Sequence, residues 1–221
     1  MARMAPAARR DAIVEAALAV ALRKGFASTT VRDVATELHC SSGLIHHYFA
    51  SMDEVLAAAF ERAAGRDLAD TEAAVAEATT PEGRLSAFFG SYARADQDWS
   101  YQLWLDAWAD AVRRPALGDT SRRLNTAWQQ LVVRIIRDGV VAGAFHCADP
   151  DATAWRLLSL LDGLSLQAVA HRGLIDRATV LAWAIAAAED ELHLDRGAVP
   201  RPVTSPVTSP VTSPVTSPGA G

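Results

Sequence analysis

Residues 29–49 constrain the fold more than any other stretch, because two helix starts fall within one short span. Thr30 is a good N-cap, and Val31, Val34, Ala35 and Leu38 follow it on one face at helical spacing. The periodicity breaks at His39 and Cys40. Ser41 and Ser42 then offer a second cap, after which Ile45, Tyr48 and Phe49 recur three and four residues apart. Two short helices joined by a turn of about four residues make a helix-turn-helix, whose second helix can lie in a DNA major groove. Its exposed positions are expected to be Ser42, Gly43, Leu44, His46 and His47. No carboxylate occurs from Cys40 to Met52, so an anionic partner meets no repulsion there.

Helical spacing continues along the chain without strand-like alternation, which predicts an all-α protein. Residues 1–8 read as a mobile basic arm ended by Pro6. A first helix over 9–24 buries Ile13, Ala17, Val20 and Ala21 and stops at Gly25. With the two short helices it forms a DNA-binding domain over 9–52. Ser51 caps a fourth helix reaching about residue 78, long enough to leave that domain and enter the next. Thr80 and Pro81 start a fifth helix, a sixth begins near Asp98 and breaks at Pro115, and a seventh begins near Asp119. Asp149 and Asp176 start the last two. Residues 53–198 therefore form a helical ligand-binding and dimerisation domain. Beyond it, over 199–221, Val-Thr-Ser-Pro repeats four times, and a proline every fourth residue predicts a disordered tail.

Charge is placed locally. The net charge of -5 is unusual for a DNA-binding chain, yet residues 1–60 carry six basic and six acidic side chains. The first ten hold Arg3, Arg9 and Arg10 without an acid. DNA binding should then rest on a shaped site rather than on general attraction. Two cysteines suit a reducing compartment, and neither a leader-like apolar region nor a membrane-length apolar run is present. A cytoplasmic protein away from membranes is the expectation.

Ile13-Val14-Glu15-Ala16-Ala17-Leu18, Lys24-Gly25-Phe26, Thr30-Val31-Arg32-Asp33-Val34-Ala35 and Ser41-Ser42-Gly43-Leu44-Ile45-His46-His47-Tyr48-Phe49 form an ordered set of motifs. The set resembles the DNA-binding domain of the TetR family of bacterial transcriptional regulators, and its last piece is most similar to the choline-responsive BetI branch. Two positions depart from the family pattern: His39 stands where a glycine is usual, and Met52 where a lysine is usual.

The resemblance implies DNA contacts from Thr30, Arg32, Ser41, Ser42, Gly43, Leu44, His46, His47 and Tyr48. Arg32 has two readings, a base or phosphate contact and an ion pair with Asp33 or Glu37. Leu44 either meets a thymine methyl or packs inside the domain. Adjacent histidines project about 100° apart on a helix, so His46 and His47 do not form a metal site. An aromatic wall of Tyr101, Trp104, Trp108 and Trp128 with Asp106 and Asp110 would suit a cationic amine, or a flat lipophilic compound without the acids. The eighth helix is apolar almost all round, which predicts a homodimer through Leu157, Leu158, Leu161, Leu164, Leu181, Ile185 and Ala188.

No nucleophile motif, phosphate loop or metal-ligand set is present, so neither catalysis nor a cofactor is expected. The leading reading is a repressor released from a pseudo-palindromic double-stranded operator by a small-molecule inducer. The alternative is an all-α sensor or carrier whose DNA-binding domain is weak or vestigial.

Overall fold

A computed structural model describes residues 5–93, 98–171 and 173–202. Among these residues the chain forms nine helices and no strand. They are α1 (Pro6–Lys24), α2 (Val31–Glu37), α3 (Ser42–Tyr48), α4 (Met52–Glu77), α5 (Pro81–Ala93), α6 (Asp98–Ala111), α7 (Pro115–Val141), α8 (Pro150–Ala170) and α9 (Arg177–Glu191). None of them is long and apolar enough to cross a membrane. Arg3 and the repeat from 203 onward lie outside the described residues.

Local chemistry sets most helix starts. Thr30 and Asp33 form a reciprocal capping box at α2. The hydrogen bonds from Lys24 and Thr30 hold the Asp33 carboxyl down at about 2. Ser51 caps α4 through the Glu54 N–H at 3.2 Å, Asp149 caps α8 through Ala152, and Asp176 caps α9 through Thr179. Gly25 ends α1 at φ 78°, where a side chain would strain the backbone.

Three expected boundaries shift. Pro6 does not end an arm but stands at the first position of α1, where its missing N–H costs nothing. Pro115 likewise opens α7 instead of only breaking α6. The α7 start is satisfied from far along the chain: Asp53, in the first turn of α4, accepts the N–H groups of Ala116 at 2.9 Å and Leu117 at 3.2 Å. At the other end, Val199 is buried, because Glu189 accepts the N–H groups of Gly197 and Val199 and ties that segment to α9.

The apolar side chains gather in three clusters. One, around Ile13, Val34, Ile45, Phe49 and Val55, holds α1, α2 and α3 to the start of α4. A second and larger one joins the far half of α4 to α5, α7, α8 and α9 around Phe88, Ile136, Leu161 and Ile185. Between them lies a third, in which Phe26, Leu56, Phe60, Leu103, Ala107 and Leu117 bring α1, α4, α6 and α7 together. Each fully buried Phe or Leu there contributes about 1.5–3 kcal/mol. The third cluster makes the junction a packed core, so α4 is not a free lever.

Candidate nucleic-acid interface and ligand pocket

The helix-turn-helix presents its polar groups outward. Arg23 pairs with Glu37, and Lys24 pairs with Asp33 at 2.7 Å, so both acids that could have held Arg32 are engaged from α1. Arg32 is exposed and has no ion pair among the described residues. Thr30 is exposed as well, its hydroxyl bonded to Asp33. Ser41 precedes α3 without using its side chain as a cap, which leaves that hydroxyl available. A Cβ on Gly43 would meet only the Ser41 hydroxyl at 3.8 Å, so nothing within the protein requires glycine there. His46 and His47 are exposed, Ser42 and Leu44 half-buried, and Leu44 is not among the side chains packed on the Ile45 cluster. Tyr48 does pack on it, with His47 edge-on at 5.1 Å. Among the described residues no group of three His, Cys, Asp or Glu is placed to hold a metal ion.

The turn between the two helices carries His39 at φ 51°, the left-handed conformation that a glycine would adopt without strain. Met52 is half-buried and packs against both the first and third clusters. Its side chain therefore acts as packing at the junction.

A pocket opens among α4 to α8. It is lined by Tyr92, Tyr101, Trp104, Trp108 and Trp128, with Asp67 and Asp162 as its carboxylates. The space open to the centre of a water molecule is about 50 Å³, several times what one water needs. The rings are interlocked: Tyr92 lies 5.9 Å from Tyr101 and 6.1 Å from Trp128, and Trp104 lies 5.6 Å from Trp108. Burial pushes the hydroxyls of Tyr92 and Tyr101 up from their ordinary range, keeping both neutral. It also raises the Asp162 carboxyl to about 7. Asp67 accepts a hydrogen bond from the Ser100 hydroxyl at 3.3 Å.

The four expected aromatic residues thus come together, and the two expected acids do not. Asp110 is buried outside the pocket, where Arg113 at 2.6 Å and Arg114 at 3.3 Å hold it. Asp106 accepts from Gln102 at 3.0 Å and lies beside Gly25, at the join to α1. Asp67, Tyr92 and Asp162 were missed. The available signal for Asp162 was its isolation as the lone acid among the leucines of α8.

The expected dimer residues also need correction. Leu157, Leu158, Leu161, Leu181, Ile185 and Ala188 are buried within the subunit's own second cluster, and Leu164 is half-buried against it. The large apolar side chains left outward on α8 and α9 are Trp155 (42% exposed), Leu160 (38%) and Trp183 (52%).

The sequence profile of the bacterial regulatory proteins of the tetR family matches residues 13–59, and that of the BetI-type transcriptional repressor C-terminal domain matches residues 81–193. The chain belongs to the TetR family. Within it, the chain is BetI-like: it is 30% identical to the HTH-type transcriptional regulator BetI of Rhizobium meliloti over 164 residues, 72% of this chain and 77% of that one. A solved transcriptional regulator from Pseudomonas aeruginosa superposes with a TM-score of 0.74 at 26% identity, covering 85% of this chain and 92% of that one. A regulator from Saccharomonospora viridis, solved in complex with choline, gives 0.74 at 24% identity over 81% and 95% of the two chains. This TetR-family chain is a DNA-binding, ligand-responsive transcriptional regulator.

Proposed function

We propose that the chain is an operator-bound repressor that a small organic cation releases, with no catalytic step. One observation carries this reading: Trp104 lines the pocket and also stacks edge-on against Phe60 at 4.9 Å. Phe60 in turn meets Phe26 edge-on at 6.1 Å, just after the end of α1. A ligand that moves Trp104 therefore pushes on the core that joins the pocket to the DNA-binding helices. Packed cores switch between discrete arrangements, so such a push shifts the whole domain. A coupling of about 1–3 kcal/mol changes operator affinity roughly 5- to 150-fold.

The pocket's chemistry favours a cation. Aromatic faces attract positive charge, and the two carboxylates supply the counter-charge. That a regulator of the same fold was solved with choline supports the same class of effector. DNA contacts from Arg32, Ser41, Gly43, His46 and His47 fit a major-groove helix free of acids. A homodimer forms through the outward faces of α8 and α9, with Trp155, Leu160 and Trp183 as its apolar anchors, and places two recognition helices on a pseudo-palindromic operator.

The test is an operator gel shift with tryptophan fluorescence, run with choline and with its uncharged carbon isostere. Choline should quench fluorescence and release DNA, and the isostere should do neither. Asp106→Asn with Asp110→Asn should keep the response, whereas Asp162→Asn should weaken it. A Trp104→Leu protein that binds choline yet stays on DNA would fit the coupling route. Equal responses to both compounds would remove the cation from the reading and leave a lipophilic effector.

A further inference from the structure

On the reading that the pocket binds a cation, we propose that Asp162 is a proton-exchanging counter-ion. Without an effector the pocket favours its neutral acid form, and an arriving cation expels its proton to solvent. Binding then follows one balanced step: the carboxylic acid and the cation give a carboxylate–cation pair and one released proton. The effector response becomes a function of pH as well as of effector concentration.

The geometry behind this is the company Asp162 keeps. It projects from α8 into the pocket beside Leu158, Leu166 and Val169 of its own helix, none of which titrates. From the facing elements come Tyr92 of α5, Tyr101 and Trp104 of α6, and Trp128 and the neutral Asn125 of α7. Among the described residues, the charged neighbours are Asp67 of α4, which engages Ser100, and Arg177 of α9. The Arg177 guanidinium lies 5.4 Å over the Tyr101 ring and donates to the Tyr92 carbonyl at 3.1 Å, so it serves the tyrosine end of the pocket. Asp162 itself has no hydrogen bond or ion pair among the described residues.

A carboxylate so placed has restricted access to water and no ion pair among the described residues, so the neutral acid is favoured, which agrees with its rise from the ordinary value to about 7 through burial. The sign follows. Between the unfolded value near 3.8 and the folded value, the folded chain holds a proton that the unfolded chain has lost. This group's contribution to stability therefore falls as pH rises through that window and stays level above it. A bound cation reverses the preference, because the ionised form then has its partner.

Calorimetry on the full chain tests the exchange, with choline and tetramethylammonium as probes in buffers of different protonation enthalpy. Near pH 6 each bound cation should release close to one proton, near pH 8.5 almost none, and affinity should rise about tenfold per pH unit below about pH 6. Asp162→Asn should abolish proton release and flatten the profile, while Asp67→Asn should leave the proton release in place. A wild-type protein that binds either cation with a flat profile and no proton release overturns the exchange and leaves the cation reading standing. No binding of either probe at any pH overturns both. Infrared spectroscopy of the ligand-free protein gives a check that needs no ligand: a protonated-carboxyl band near pH 6, missing from Asp162→Asn, supports the exchange. Its absence from the wild type overturns it.

Discussion

The two working ends of this chain are built on opposite principles. At the DNA-binding end, α2 and α3 are seven residues each, and Arg32, Ser41 and His46, proposed to meet DNA, are exposed with no side-chain hydrogen bond or ion pair among the described residues. Arg32 is available because Arg23 and Lys24 occupy the nearby acids. At the pocket, most of the lining groups stand half-buried among rings, and the chemistry of Asp162 comes from restricted access to water. Asp162 is a titrating group near neutrality only because burial makes it one. An exposed site is therefore separable from stability, whereas a buried site shares its residues with the core.

That contrast makes measurable claims. The largest effect should come from Trp128→Ala, since Trp128 belongs both to the second cluster and to the pocket wall. Its loss should lower unfolding free energy by about 3–5 kcal/mol in a denaturant titration and remove effector binding with it. A variant that loses the effector at full stability would show that the pocket is not part of the core. Arg32→Ala should do the reverse. Operator affinity should fall by about 1–3 kcal/mol with stability changed by less than about 0.5 kcal/mol. Parallel loss of folding and DNA binding in that variant would break the comparison. The smallest effect is expected at His39, where a glycine would relieve the positive φ in the turn. His39→Gly should raise stability by about 0.5–1 kcal/mol and leave effector binding unchanged, which thermal melting with and without choline would check.

How much of this was legible in the sequence depends on the range of the interactions involved. The caps at Thr30, Ser51, Asp149 and Asp176 act within three residues of themselves, and each could be read directly. The apolar spacing marked the helices, and the motif order marked the family. Four of the pocket's aromatic residues were legible because large rings crowd one stretch of α6 and one face of α7 at helical spacing.

Only the tertiary structure decided which acids face those rings. Neighbouring residues on a helix differ by about 100° in direction, so a shift of a few positions turns a side chain from pocket to surface. Asp106 and Asp110 sit on the right helix and point elsewhere, while Asp67 and Asp162 arrive from α4 and α8. The same limit applied to α8 and α9. A helix apolar on most sides does not state which side meets its own subunit, and the leucines taken for an interface proved to be core. Pro115 shows the longest reach: its helix starts where it does because Asp53, distant in sequence, satisfies two N–H groups there. Periodicity and capping are local and survive in a string of letters, but the facing partner of a helix is chosen only when the chain closes on itself.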